Sequence, residues 1–196
     1  AEFWSQGLLA VGLTTLFISS LLSVRQRDLK GLLAFTTTAK LGVLVALLGV
    51  PEGYGVKAAL VGILAHALYK AALFLSVGSI DHATGTRLID KLGGLWKRMP
   101  ITGVVVIISS LSMAGVPPLL GFVAKETKLE AFFSDPLLLG ILFVSVVFTA
   151  AAGYILIWDV FFRKEPDDLH FHALPRPLEL GPDRKSTRLN SSHVCS

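Results

Sequence analysis

Five long apolar stretches separated by short polar ones dominate the sequence. Each is about as long as the roughly 20 residues that a helix needs to cross a hydrocarbon layer about 30 Å thick. Charged or proline- and glycine-rich segments such as RQRDLK and PEGYG interrupt the pattern. The pattern predicts an all-α polytopic membrane protein, a bundle of five transmembrane helices. The predicted helices cover residues 4–24, 29–50, 56–80, 101–133 and 136–162.

The fourth stretch contains a helix break. Its first part, ITGVVVIISSLSMAG, ends at Gly115-Val116-Pro117-Pro118, and the apolar pattern resumes as LLGFVAKETKLEAFF. Proline and glycine free backbone groups here, which is tolerable at membrane depth only where protein or water satisfies them. One interpretation is a discontinuous helix of the kind that forms ion sites in transporters. The other is a simple proline kink.

Composition supports a membrane protein. Hydrophobic residues make up 53% of the 196 residues and charged residues only 16%, with a mean hydropathy of +0.66. The formal charge is +4, but the basic residues flank the apolar stretches instead of forming a stripe with aromatic residues, so we expect no nucleic-acid partner. Three alternate loops carry most of these charges, which predicts a multi-pass protein of the cell inner (plasma) membrane, surrounded by the lipid bilayer.

The predicted organisation has three parts. Residues 1–164 form the five-helix membrane domain, and 165–182 form a cytoplasmic connecting segment. Residues 183–196, DRKSTRLNSSHVCS, differ abruptly in composition, and we expect a non-native or disordered tail, with a short regulatory tail as the alternative. The first residues show neither an initiator Met nor the basic segment of a signal peptide, so we expect a piece of a longer protein.

Lys40, Lys70 and Lys125 lie inside otherwise apolar stretches. A charge at the bilayer centre costs at least about 2.5 kcal/mol, so each must face protein or water. Lys40 lies about ten residues from either helix end, roughly 15 Å, too far to reach the interface. Lys30 differs because it begins the second helix beside Asp28, where it is either functional or an interfacial anchor.

His66 and Lys70 are four residues apart and share one helical face. A buried lysine can exchange its proton because removal from water disfavours the ammonium form, and histidine exchanges protons near neutral pH. The pair is either a proton relay or a static arrangement of a backbone-bonded histidine and a paired lysine. Beyond the helix break, Glu126 either pairs with Lys125, Lys128 or a lysine on another helix, or joins a surface group with Glu130 and Lys128 at the membrane edge.

The sequence contains no motif for other kinds of chemistry. It contains no phosphate-binding glycine loop, no nucleophile elbow and no metal-ligand spacing. The single cysteine, Cys195, lies in the suspected tail. We therefore predict no catalytic residue, no metal site and no cofactor, and a protein that is not itself an enzyme.

Three segments together resemble the antiporter-like membrane subunits shared by Mrp sodium/proton antiporters and respiratory complex I. They are RQRDLKGLLAFTTTAKLG, HALYKAALFLSVGSIDHATGTRLIDKLGGLWKRMP and LSMAGVPPLLGFVAKE. The similarity covers residues 4–162, and HATGTR with GGLWKRMP is most similar to the large A subunits of Mrp-type complexes. It implies a fold of two five-helix inverted repeats, of which these helices match the second, with the broken helix as its fourth member. The first repeat, with its glutamate and lysine pair, has no counterpart here.

The resemblance also implies which residues carry the ions. In the family, helices with these motifs form a charged, hydrated axis at mid-membrane. Lys40 departs from the family pattern, since Gln, His or another polar residue is common there, and it either extends the axis or replaces a member. The residues that match the family motifs are Lys30, His66, Lys70, Lys125 and Glu126, with the helix break at Gly115, Pro117 and Pro118.

The function that follows is exchange of H+ for Na+ through a Lys/His relay, in a complex with other subunits of a multisubunit antiporter. One alternative is a proton-pumping membrane subunit of a complex I-like NADH dehydrogenase or membrane-bound hydrogenase. Another is a purely structural membrane subunit with static lysine pairs. With the first repeat missing, we expect this chain by itself to transport no ions.

Overall fold

A computed structural model describes residues 2–50, 54–133, 136–164 and 166. Within that part the fold is a bundle of α-helices with no β-strand, which confirms the predicted all-α membrane fold. Four helices are long and apolar enough to cross a membrane, and a fifth apolar helix is shorter. The helices are α1 (Glu2–Val24), α2 (Leu29–Leu48), α3 (Tyr54–Thr84), α4 (Pro100–Ala114), α5 (Leu120–Phe132) and α6 (Pro136–Ile157), which continues as a π-helical turn over Trp158–Phe162.

Helices α1 and α2 pack backbone to backbone at two glycines. A Cβ added to Gly12 would lie 2.6 Å from the carbonyl oxygen of Gly42, and one added to Gly42 would lie 2.7 Å from the carbonyl oxygen of Gly12. Small residues allow such close approach in membranes, where van der Waals packing is a main force between helices. This contact holds α2, and with it Lys40, firmly against α1.

The loop after α3 begins four residues later than the predicted end of the third helix at residue 80. Helix α3 continues to Thr84 and ends where Gly85 adopts a φ of +66°, a conformation that glycine takes at little cost. Apolar side chains beyond it are buried in the bundle core: Leu92, Leu95 and Met99. Apolar side chains spaced through the loop therefore anchor it.

Polar contacts tie this loop to the turn between α1 and α2. The amide of Leu29 donates to the carbonyl of Arg87 at 3.0 Å, and the amide of Ile89 donates to the carbonyl of Arg27 at 2.8 Å. The Arg87 side chain lies 3.4 Å from a carboxylate oxygen of Asp28, which also caps α2 by accepting from the Gly31 amide. The start of α2 is thus fixed at one end of the bundle.

The break between α4 and α5 is built by a regular helix-ending motif. Gly115 has a φ of +80°, its amide donates to the carbonyl of Ser112, and the amide of Val116 donates to the carbonyl of Leu111. These are the two bonds of a Schellman motif, which needs a residue such as glycine in the left-handed region. Five residues then separate the two helices, and Pro117-Pro118 lies within them.

The interior consists of two apolar clusters. The larger one joins the start of α2, α3, the loop after α3, α4, one residue of α5 and the end of α6. The smaller one joins α1, the rest of α2, the start of α3 and parts of α5 and α6. Large apolar side chains such as Leu75 and Phe143 point outward, as expected where lipid or other subunits cover the helices. The predicted connecting segment 165–182, apart from residue 166, and the tail 183–196 lie outside the described residues.

Candidate functional site

Three lysines line one small cavity inside the bundle. Lys40 comes from α2, and Lys125 and Lys128 come from α5. The cavity measures about 20 Å³, which is enough for one water molecule. Three other lining residues carry hydroxyl groups: Tyr69, Ser112 and Thr149. Residues with amine or hydroxyl side chains from five helices therefore line this one cavity.

Lys125 caps the broken helix. Its Nζ donates a 2.9 Å hydrogen bond to the carbonyl oxygen of Ala114, the last residue of α4. The final carbonyls of a helix have no partner within it and carry partial negative charge, so a lysine satisfies both the hydrogen bond and the dipole. A Cβ on Gly115 would lie 2.7 Å from Cδ of Lys125. The absence of a side chain at Gly115 thus makes room for this contact.

Lys128 is a site residue that the sequence analysis considered only as a partner of Glu126, with the membrane edge as one of two interpretations. It is only 6% exposed, because α5 continues as a helix to Phe132 and carries it into the bundle. Gly62 on α3 leaves space for it, since a Cβ there would lie 3.1 Å from Cε of Lys128. The spacing of three residues from Lys125 was the available signal, because such residues share a helical face.

Lys70 is buried and bonded to α2. It is 4% exposed, and its Nζ donates to the carbonyl oxygen of Leu33 at 2.8 Å and to Oγ1 of Thr36 at 2.5 Å. Nζ also lies 5.9 Å from the ring centroid of Phe74, within reach of a cation–π interaction.

His66 lies one turn away on α3 but contacts a different residue. Its Nδ1 is 3.2 Å from the hydroxyl oxygen of Tyr69, and the two rings meet edge to face with centroids 5.4 Å apart. Within the described ranges, no hydrogen bond links His66 to Lys70. The two residues share a helix face, as their spacing predicts, but each is engaged elsewhere.

Lys30 and Glu126 are not drawn into this cluster. Lys30 is exposed in the first turn of α2, and Glu126 is exposed on α5, one residue past Lys125. The ion pairs found in the described part of the chain join Arg27 or Arg87 to aspartates at the bundle end. Any role for Lys30 or Glu126 therefore requires a surface outside the lysine cavity.

The arrangement is suited to moving protons. Transfer between side chains needs donors and acceptors within hydrogen-bond reach, directly or through one water. Hydroxyls, an imidazole and lysine amines supply both kinds of group, and the cavity can hold the connecting water. In the described residues, no group of three or more His, Cys, Asp or Glu side chains could hold a metal ion.

Comparison with known proteins gives the family. Residues 1–150 match the family model described as NADH:quinone oxidoreductase/Mrp antiporter, transmembrane. The chain belongs to this family. The Na(+)/H(+) antiporter subunit A1 of Staphylococcus aureus (strain JH9) is 40% identical over 86% of this chain. The aligned part is 24% of that relative, so the chain spans about a quarter of its length.

Two solved structures of membrane complexes contain chains that share the fold of this one. The Mrp complex from Dietzia sp. DQ12-45-1b matches with a TM-score of 0.80 and 28% identity, over 90% of this chain and 33% of that one. The membrane-bound sulfane sulfur reductase, an archaeal respiratory membrane complex, matches with a TM-score of 0.83 and 30% identity, over 89% of this chain and 30% of that one. The chain thus belongs to a family of antiporter-like, multi-pass proteins of the inner membrane, and the resemblance to this family is confirmed.

Proposed function

We propose that this chain supplies part of the proton path of a cation/proton antiporter subunit that exchanges H+ for Na+. The observation that carries the proposal is the cavity where Lys40, Lys125 and Lys128 meet. Placing a charged lysine inside a membrane costs free energy. Three lysines at one water-sized cavity are therefore hard to explain by packing alone. The 40% identity to a protein named as a Na(+)/H(+) antiporter subunit supports the same function.

In the proposed path, Lys70 and His66 form one end and Lys125 at the helix break forms the other. Lys40 and Lys128 line the same cavity as Lys125. Thr36 and the Leu33 carbonyl hold the Lys70 ammonium, and the Ala114 carbonyl holds that of Lys125, so both lysines stay aligned while protons pass. Lys30 and Glu126, which are exposed, would act where this chain meets the rest of the protein or another subunit.

The partners in this proposal are the other subunits of a multisubunit antiporter complex, with H+ and Na+ as substrates. The second candidate is a proton-pumping membrane subunit of a complex I-like or hydrogenase-like assembly. The match to an archaeal respiratory complex favours it, since the TM-score of 0.83 is similar to the 0.80 for the Mrp complex. The two differ in energy source, because only the second needs an electron donor.

The test is Lys70→Ala in the full-length complex, reconstituted in liposomes with a pH gradient and no electron donor. The unsubstituted complex should move sodium, Lys70→Ala should abolish that movement, and Lys91→Ala, at an exposed loop lysine, should not change it. Sodium movement retained in Lys70→Ala would overturn the relay. An unsubstituted complex that moves protons only when it is given an electron donor would favour the second candidate.

A further inference from the structure

Tyr69 is a buried tyrosine with a hydroxyl group in the middle of α3. It is 7% exposed, and its hydroxyl oxygen lies 3.2 Å from Nδ1 of His66. A phenylalanine would fill the same apolar space without the cost of burying a hydroxyl. The hydroxyl is therefore the feature of this residue that calls for an explanation.

Tyr69 also lines the cavity where the lysines meet. It is thus in contact with both His66 and the lysine site. The neighbouring Lys70 does not make this link, because its ammonium is bonded to Leu33 and Thr36 on α2. His66 is thus hydrogen-bonded to a residue that itself lines the cavity.

We propose that the Tyr69 hydroxyl passes protons between His66 and the lysine cavity. The inference rests on the proposed function and adds a residue to its path. A hydroxyl can donate one hydrogen bond while it accepts another. In the step, a lysine ammonium in the cavity gives a proton to the Tyr69 oxygen, directly or through a water, as the original hydroxyl proton moves to Nδ1 of His66, and the lysine is left as a neutral amine. One O–H bond forms as the other breaks, so tyrosine ends unchanged and the imidazole gains the charge.

Two substitutions of Tyr69 distinguish a role in proton transfer from a role in packing alone. Tyr69→Phe keeps the ring and loses only the hydroxyl, whereas Tyr69→His is smaller but can exchange a proton. A relay predicts that the histidine variant is more active than the phenylalanine variant. A packing role predicts the reverse, because phenylalanine preserves more of the buried volume.

The experiment measures sodium movement driven by a pH gradient in liposomes that hold the full-length complex. Tyr69→Phe should slow it by at least about tenfold, since a positioned acid–base group typically contributes about 10²- to 10⁴-fold. Tyr69→His should recover part of the loss. Tyr154→Phe, at a tyrosine that is 60% exposed on α6, is the matched control and should match the unsubstituted complex.

Unchanged movement in Tyr69→Phe, or a histidine variant no faster than the phenylalanine variant, would overturn the role of Tyr69. Lys70→Ala measured alongside separates the two proposals. If Lys70→Ala is inactive while Tyr69→Phe is active, the inference about Tyr69 fails and the relay as a whole stands. If Lys70→Ala is active, the relay through Lys70 fails regardless of the Tyr69 result.

Discussion

Replacing Thr36 by valine should disturb Lys70 in a way that the same change at Thr38 does not. Both threonines lie on α2, and each donates its hydroxyl to a carbonyl one turn earlier on that helix. Thr36 is buried, and its Oγ1 also accepts a 2.5 Å hydrogen bond from Nζ of Lys70. Thr38 is exposed. Valine has nearly the shape of threonine, so the lost acceptor is the main difference between the two variants.

The expected loss of stability in Thr36→Val follows from the hydrogen bonds that Lys70 keeps and loses. In Thr36→Val, Nζ keeps the Leu33 carbonyl at 2.8 Å but loses one of two acceptors in a buried site. Side-chain hydrogen bonds between membrane helices average about 0.6 kcal/mol and reach about 1.7 kcal/mol. Bonds to charged groups are worth about 1.5–3 kcal/mol. We therefore expect a loss of about 1–2 kcal/mol, which is about 5- to 30-fold in an equilibrium.

The assay compares both variants in the full-length complex by unfolding in detergent and by sodium movement driven by a pH gradient. Thr36→Val should lower the free energy of unfolding by about 1–2 kcal/mol and slow transport. Thr38→Val should change the free energy of unfolding by no more than about 0.5 kcal/mol, as most substitutions at exposed positions do. Equal free energies of unfolding and equal rates of sodium movement in the two variants would refute the claim that Thr36 holds Lys70 in place.

Two further predictions concern glycines, with Gly78→Ala as the matched control for both because a Cβ there meets nothing within 4 Å. Gly42→Ala places a Cβ 2.7 Å from the carbonyl oxygen of Gly12, so α1 and α2 must separate at a cost of about 1–3 kcal/mol. Gly115→Ala puts a side chain at a φ of +80° and against Lys125, which should cost about 1–2 kcal/mol and slow transport. Unfolding in detergent checks the stabilities, and variants as stable as Gly78→Ala would contradict both predictions.

The helices could be predicted from sequence largely because hydropathy and turn residues act locally. The breaks at Gly115 and at the polar segment before α2 fall where glycine, proline and charge predict them. The end of α3 could not be placed in this way. Asp81 to Thr84 look like a polar loop, but Thr84 bonds the carbonyl of Ile80 and Ala83 is buried, so tertiary packing extends the helix.

The candidate site could be predicted only as a set of residue types. Spacing places His66 and Lys70 on one face, but the partner of each depends on which helix lies opposite. Lys70 meets Thr36 on α2, and His66 meets Tyr69 on its own helix. The place of Lys128 depends on Gly62 of α3, which is far away in sequence. Such pairings arise from helix packing and leave little trace in one sequence.

The central claim is that the buried lysines carry protons. The most direct measurement replaces Lys40, Lys70 and Lys125 together by glutamine in the full-length complex and follows sodium movement driven by a pH gradient in liposomes. Size-exclusion chromatography in detergent first establishes that the complex is intact. The account predicts movement no faster than in liposomes without protein, and movement at the rate of the unsubstituted complex would contradict it.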